Sequence, residues 1–192
     1  MRSAEFDREE VLRFAMEAFV AKGYAKTSMQ DLKAVTGLHP GSLYCAFENK
    51  RGLLIAALSQ YCDDRTKEFT LLFDSQPTIL SGLAAYLSNV VDECETDTIK
   101  DCLLQKSLSE LAQQDDEIET LIGVMLQDWQ QSIEAKIKEG QQSGDLTLNK
   151  SAAQLAQFLV MGIYGIRTLS HTKPQEGVLR GLKDELLEYL KL

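Results

Sequence analysis

Proline is scarce in this chain. Only Pro40, Pro77 and Pro174 interrupt its 192 residues, which leaves long stretches free to be helical. Strand signals are nearly absent, since no run alternates apolar and polar residues between clusters of turn formers. No run approaches the ~18 apolar residues of a membrane span, and the N-terminus is charged where a secretory signal is apolar. The expectation is a soluble, cytoplasmic, all-helical protein with no membrane partner. His39 and His171 are the only histidines and lie far apart, so no zinc site is expected. Cys45, Cys62, Cys94 and Cys102 show neither CxxC nor finger spacing, which points to free thiols. A nucleophile with its base, a carboxylate and histidine ligand cluster and a phosphate loop are all missing. We therefore expect no enzyme, no metal and no cofactor.

Positive charge is also short. The net charge is −9, which sits badly with a nucleic-acid partner until it is divided along the chain. Residues 1–52 hold eight basic groups (Arg2, Arg8, Arg13, Lys22, Lys26, Lys33, Lys50, Arg51) against seven acidic ones, for +1. The remaining 140 residues carry −10, a surface that favours solubility. Any DNA-binding segment is only weakly basic, so it must rely on a few phosphate contacts and on symmetry.

The informative stretch runs from Thr27 to Leu53, TSMQDLKAVTGLHPGSLYCAFENKRGL. It reads as two short helices around a glycine turn, followed by the start of a third. Thr27 and Gln30 have capping-box spacing. Met29, Leu32 and Val35 fall three apart and face a core. Gly37 suits a left-handed closing residue, and Pro40 suits the first position of the next helix. Leu43 and Phe47 point inward, leaving Ser42, Tyr44 and Cys45 outward, while Asn49 caps the helix that follows. The second of these helices is only about two turns long, too short to persist alone. This is helix-turn-helix grammar, in which the second helix enters a DNA major groove.

The same residues resemble the DNA-binding domain of the tetracycline-repressor (TetR) family. The resemblance rests on Thr27-Ser28, Ala34 to Leu38, Gly41-Ser42-Leu43-Tyr44, Phe47 and Lys50 to Leu53. The preceding Phe14-Ala15, Ala18-Phe19 and Gly23-Tyr24 agree with it. It covers roughly the first quarter of the chain. It implies an all-α fold: an N-terminal three-helix helix-turn-helix domain at 1–50 and a larger helical ligand-binding and dimerisation domain at 51–192. It also implies a homodimeric repressor, released from a palindromic double-stranded operator when a small-molecule effector binds. A helical-bundle adaptor or enzyme that uses the N-terminal module for protein contact is the alternative.

Beyond Leu53 the periodicity predicts helices over about 50–73, 79–94, 102–112, a long one carrying Ile118 to Ile137, 152–170 and 175–190. The polar turn Thr96-Asp97-Thr98 separates two of them. Helix 152–170 is apolar on nearly all sides, with Ala153, Ala156, Gly162 and Gly165 between larger groups. Burial on every side implies a second copy or a central monomer core. The resemblance favours a dimer interface, placed at Ala156, Leu159, Gly162, Ile163 and Ile166.

The expected DNA contacts are Thr27, Ser28, His39, Pro40, Gly41, Ser42, Tyr44, Cys45 and Lys50, with Thr27 and Lys50 gripping phosphates. Trp129 is either a packed core residue or, with Met125, Phe158 and Met161, the lining of an effector site. The run Asp101-Cys102-Leu103-Leu104 resembles the Gly-Cys-Leu-Leu helix start of members that respond to electrophiles or oxidants. Cys102 is thus either a sensor thiol, helped by a helix N-terminus and Lys106 and opposed by Asp101, or a small buried residue. Cys45 on the recognition helix is a second candidate for oxidation, and His171 is expected to cap a helix end.

Overall fold

A computed structural model of the protein describes residues 6–96 and 102–191. The described residues form helices and no strand: α1 (Arg8–Lys22), α2 (Met29–Thr36), α3 (Pro40–Phe47), α4 (Lys50–Asp74), α5 (Ile79–Glu95), α6 (Leu103–Leu111), α7 (Asp116–Ser143), α8 (Ala152–Ser170) and α9 (Val178–Lys191). Asp97, Thr98 and Asp101, to which sequence reasoning gave turn and helix-start roles, lie outside the described residues.

Local chemistry accounts for most of the helix ends. The Asp7 carboxylate accepts the main-chain N–H groups of Glu9 and Glu10 at the start of α1. Reciprocal capping boxes open α2 (Ser28 with Asp31), α5 (Thr78 with Ser81) and α8 (Ser151 with Gln154). Gly37 closes α2 with φ +68°, a left-handed conformation that costs glycine nothing. The Asn49 carboxamide accepts the Gly52 N–H at 2.9 Å and so starts α4. His171 ends α8.

The helices form two compact units. In one, residues 6–65 join 102–125, so α6 and the start of α7 belong with α1, α2 and α3. There α1 packs on α2 and on α6, and α2 packs on α3. Val11, Leu12, Ala15, Phe19, Leu32, Leu43, Phe47, Leu53, Leu54 and Ile118 supply buried apolar surface. Each large aliphatic or aromatic side chain of this kind contributes about 1.5–3 kcal/mol.

The other unit comprises residues 66–96 and 126–191. Here α5, α8 and α9 pack on one another. Their core includes Leu83, Leu87, Val91, Leu155, Leu159, Ile163 and Leu187, with Ile133 and Ile137 of α7. A Cβ on Gly162 would strike the Leu186 side chain, so this glycine is what allows α8 and α9 to approach so closely. Arg167 pairs with Glu93 at 2.6 Å across α8 and α5. Arg180 of α9 reaches Asp92 and Glu95 of α5.

Candidate DNA-binding face

Helix α3 is too short to hold itself, and its neighbours hold it. Leu43 and Phe47 are buried at 1% and 4% exposure, as their spacing predicts. The Arg8 guanidinium lies over the Phe47 ring, 4.5 Å from its centroid. The opposite side is open: Tyr44 is 47% exposed, and His39, Gly41 and Cys45 are exposed beside it. Ser42 and Pro40 are half-buried. His39 is the N-cap, its Nδ1 accepting the Gly41 N–H at 3.2 Å, and Pro40 occupies the first helical turn.

Two residues assigned to phosphate contact do something else. Thr27 is fully buried, and its hydroxyl donates to the Gly23 carbonyl at 2.6 Å, with the Ala18 carbonyl at 3.3 Å. It therefore pins the turn between α1 and α2 and cannot meet a phosphate. The cap of α2 belongs to Ser28, whose hydroxyl accepts the Asp31 N–H while Asp31 accepts the Ser28 N–H. Lys50 spends its ammonium on the Tyr24 and Thr27 carbonyls at 2.8 and 3.0 Å, lying 4.3 Å from the Tyr24 ring centroid. It clamps the start of α4 to the same turn. Val35, expected to face the core, is 39% exposed. Only Leu32 of α2 is fully buried.

The remaining cations sort themselves by partner. Arg13 is held by Asp64 and Glu9, Lys22 by Asp31, and Arg51 by Asp115 and Glu117. Lys22, with Ser28, keeps the Asp31 carboxyl far below the usual carboxylate range. Arg51 lowers Asp115 to about 2, helped by the Ile118 N–H. Lys26 and Lys33 are exposed and carry no ion pair among the described residues. Their ammonium groups are therefore open to an outside anion. The signal for this in the sequence was Lys33 next to inward Leu32, which places it on the outer side of α2. The Glu110 carboxylate, at the end of α6, accepts the Ala25 N–H at 3.1 Å and so adds a third tie to the α1–α2 turn.

This arrangement is a helix-turn-helix whose second helix is exposed along one side. A model of the bacterial regulatory proteins of the tetR family matches residues 11–57, and one of the tetracyclin repressor-like C-terminal domain matches residues 80–180. The chain belongs to the TetR family. It is a DNA-binding transcriptional regulator of that family with the all-helical TetR architecture.

Two transcriptional repressors match over most of their length. The HTH-type transcriptional repressor ComR of Escherichia coli (strain K12) is 29% identical over 168 residues, 86% of this chain and 80% of ComR. The repressor DhaR of Mycobacterium sp. (strain GP1) is 26% identical, over 82% of this chain and 79% of DhaR. Among solved structures, a cysteine mutant of the regulator CifR with 26-base-pair operator DNA is similar with TM-score 0.79 and 25% identity, covering 97% of this chain and 98% of that one. The reduced form of E. coli NemR shares the fold, with TM-score 0.83, 18% identity and coverage of 93% and 94%.

In this TetR-family chain the five residues assigned to a dimer interface lie elsewhere. Ala156, Leu159, Ile163 and Ile166 are buried in the protein's own core, and Gly162 faces Leu186 of α9. The side of α8 that meets solvent carries Gln154, Gln157, Met161, Gly165 and Thr168. Helix α8 looked apolar all round because Gly165 and Met161 count as apolar wherever they point.

The effector candidates fall in both units. Cys102 and Met125 belong to one unit, and Trp129, Phe158 and Met161 to the other. Met161 is 60% exposed on α8. Phe158 stacks on Tyr189 at 3.9 Å. The Trp129 indole N–H donates to the Tyr86 hydroxyl at 2.9 Å, and its ring lies 5.7 Å from that of Tyr164. Cys102 is the half-buried N-cap of α6, and its Sγ accepts the Tyr61 hydroxyl at 3.6 Å.

Proposed function

We propose that the protein is a homodimeric repressor that binds a palindromic operator in the cytoplasm and leaves it when a small molecule binds. Residues 1–50 serve as the DNA-binding domain and 51–192 as the effector-binding and dimerisation domain. The reading rests above all on α3, whose inner side is spent on the core while Tyr44, His39 and Cys45 stay open. The repressors ComR and DhaR support the sign of regulation, and the CifR complex supports a duplex operator. Base edges fall to His39, Gly41, Ser42, Tyr44 and Cys45. Phosphates fall to Ser28, Lys26, Lys33 and the main chain near Pro40. Two weakly basic heads need each other, because a two-fold pair spaced by one DNA turn, about 34–36 Å, doubles the contacts. The dimer face is the solvent side of α8, with Gln157, Met161 and Gly165, together with Val178 and Leu182 of α9.

The effector site lies among the aromatic groups around Trp129 and Tyr86. Cys102 provides a second route, in which an electrophile or oxidant modifies the thiol and disturbs its contact with Tyr61. Binding at either place shifts α4, and with it the spacing of the two recognition helices.

A gel-shift titration tests the core of the reading. The dimer should retard DNA from its own upstream region far more strongly than random duplex of equal length. Tyr44→Ala should abolish most of that preference while leaving the thermal midpoint unchanged. Equal affinity for both duplexes, or a monomer by light scattering at binding concentrations, would remove the proposal.

A further inference from the structure

Helix α3, PGSLYCAF, contains no Arg, Lys, Asn or Gln. The side chains that make bidentate contacts to guanine and adenine are therefore missing from the element that should read bases. The donors at its exposed start are few, and the placement of one is settled. A main-chain N–H can only donate, so His39 Nδ1, which accepts the Gly41 N–H at 3.2 Å, carries no proton in the neutral ring. The ring proton then sits on Nε2, and the exposed imidazole edge is a hydrogen-bond donor and not an acceptor.

Gly41 adds a separate observation. It is exposed and helical, and a Cβ there would meet nothing nearer than His39 Nδ1 at 3.5 Å, an ordinary contact. The protein has no internal need for glycine here, although glycine weakens a helix. A missing side chain at this exposed helix start leaves room for an outside body to come close. Gly41 lies in the same turn as the His39 ring.

We propose that His39 is a specificity-determining residue, donating its Nε2–H to a purine N7 in the major groove while Gly41 leaves room for that base pair. This inference rests on the regulator reading above. The acceptor chemistry is shared by purine N7 and phosphate oxygen, and the experiment separates the two.

Duplexes enriched by the wild-type protein from a randomised pool serve as the probe. Each purine of the enriched half-site is replaced in turn by its 7-deaza analogue, which lacks only the N7 acceptor. Wild-type affinity should drop several-fold to about tenfold at one symmetric purine, the range of one lost hydrogen bond. His39→Asn keeps a good N-cap acceptor for the Gly41 N–H but removes the imidazole Nε2–H. Without the Nε2–H it should bind the natural duplex more weakly and be indifferent to the analogue at that purine. Gly41→Ala should raise the thermal midpoint while weakening binding to the same duplex.

Three results would overturn the inference. The first is a His39→Asn protein that keeps the wild-type sensitivity at every purine. The second is a wild type indifferent to every 7-deaza substitution, with His39→Asn weakening every duplex alike, which assigns His39 to a phosphate. The third is a Gly41→Ala protein that binds as the wild type does. Failure of the wild type to enrich any sequence brings down the regulator reading along with this one.

Discussion

The Arg51 guanidinium grips Asp115 with two donors, Nε at 2.6 Å and Nη2 at 2.9 Å, and the same Nη2 reaches Glu117 at 2.7 Å. Arg51 stands one residue beyond the Lys50 clamp, in the first turn of α4, and Asp115 directly precedes α7. The start of the helix that follows the recognition helix is thus tied to the start of α7 by a planar, two-pronged pair.

That pair has a pH signature. Asp115 titrates at about 2 in the folded protein, below its unfolded value of about 3.9. A depressed carboxyl contributes stability that is complete above the unfolded value and lost as pH falls toward the folded one. Asp115→Asn should therefore melt below the wild type at pH 7, and the two curves should converge between about pH 4 and 2. A gap of constant size across that window would show that the pair is not its source.

Lys50 separates two roles by two measurements. Lys50→Met deprives the Tyr24 and Thr27 carbonyls of their shared donor, so the unit should lose about 1–3 kcal/mol. The salt dependence of DNA binding should stay the same. A lysine that gripped phosphate would give the reverse: unchanged melting and a slope smaller by about 0.9 per contact.

Lys26 and Lys33 carry the opposite expectation. Changing either to Gln should flatten the plot of log affinity against log salt by about 1 per protomer contact, without altering which sequence is preferred. Their exposure means the melting temperature should not move. Unchanged slopes in both variants would leave the phosphates to the main chain and the hydroxyl groups.

Two glycines inside helices should respond in opposite directions. A Cβ at Gly52 would run into the Phe47 main-chain oxygen, which has no rotamer to escape through. Gly52→Ala should cost about 2–4 kcal/mol and loosen α3 against α4. At Gly123 in α7 an added methyl group would meet nothing within 4 Å, so Gly123→Ala should gain up to about 1 kcal/mol. Calorimetry on both variants checks the contrast.

Most of the helix-turn-helix was legible because its signals are local. Gly37, Pro40 and Asn49 act within a few bonds, and Leu43 with Phe47 needs only the helical repeat. The misreadings share a cause, which is dependence on distant chain. Thr27 and Ser28 each have a capping partner three residues on, so spacing cannot choose between them. The choice follows from the Gly23 and Ala18 carbonyls drawing Thr27 inward. Lys50 looked like a phosphate contact because nothing near it in sequence reveals that two carbonyls 26 and 23 residues back converge on its ammonium. The polar and small positions 154, 157, 161, 165 and 168 of α8 do repeat at helical spacing, but Met161 and Gly165 disguise them as core.

The hydrogen bond from Trp129 to Tyr86 has a practical consequence. Trp129 is the only tryptophan in the chain, and it lies half-buried among Tyr86 and Tyr164 in the unit formed by 66–96 and 126–191. Intrinsic fluorescence excited at the red edge of protein absorption therefore comes from that unit alone. Circular dichroism registers every helix at once. Where the two signals part company on heating, the molecule itself reports that its halves melt separately.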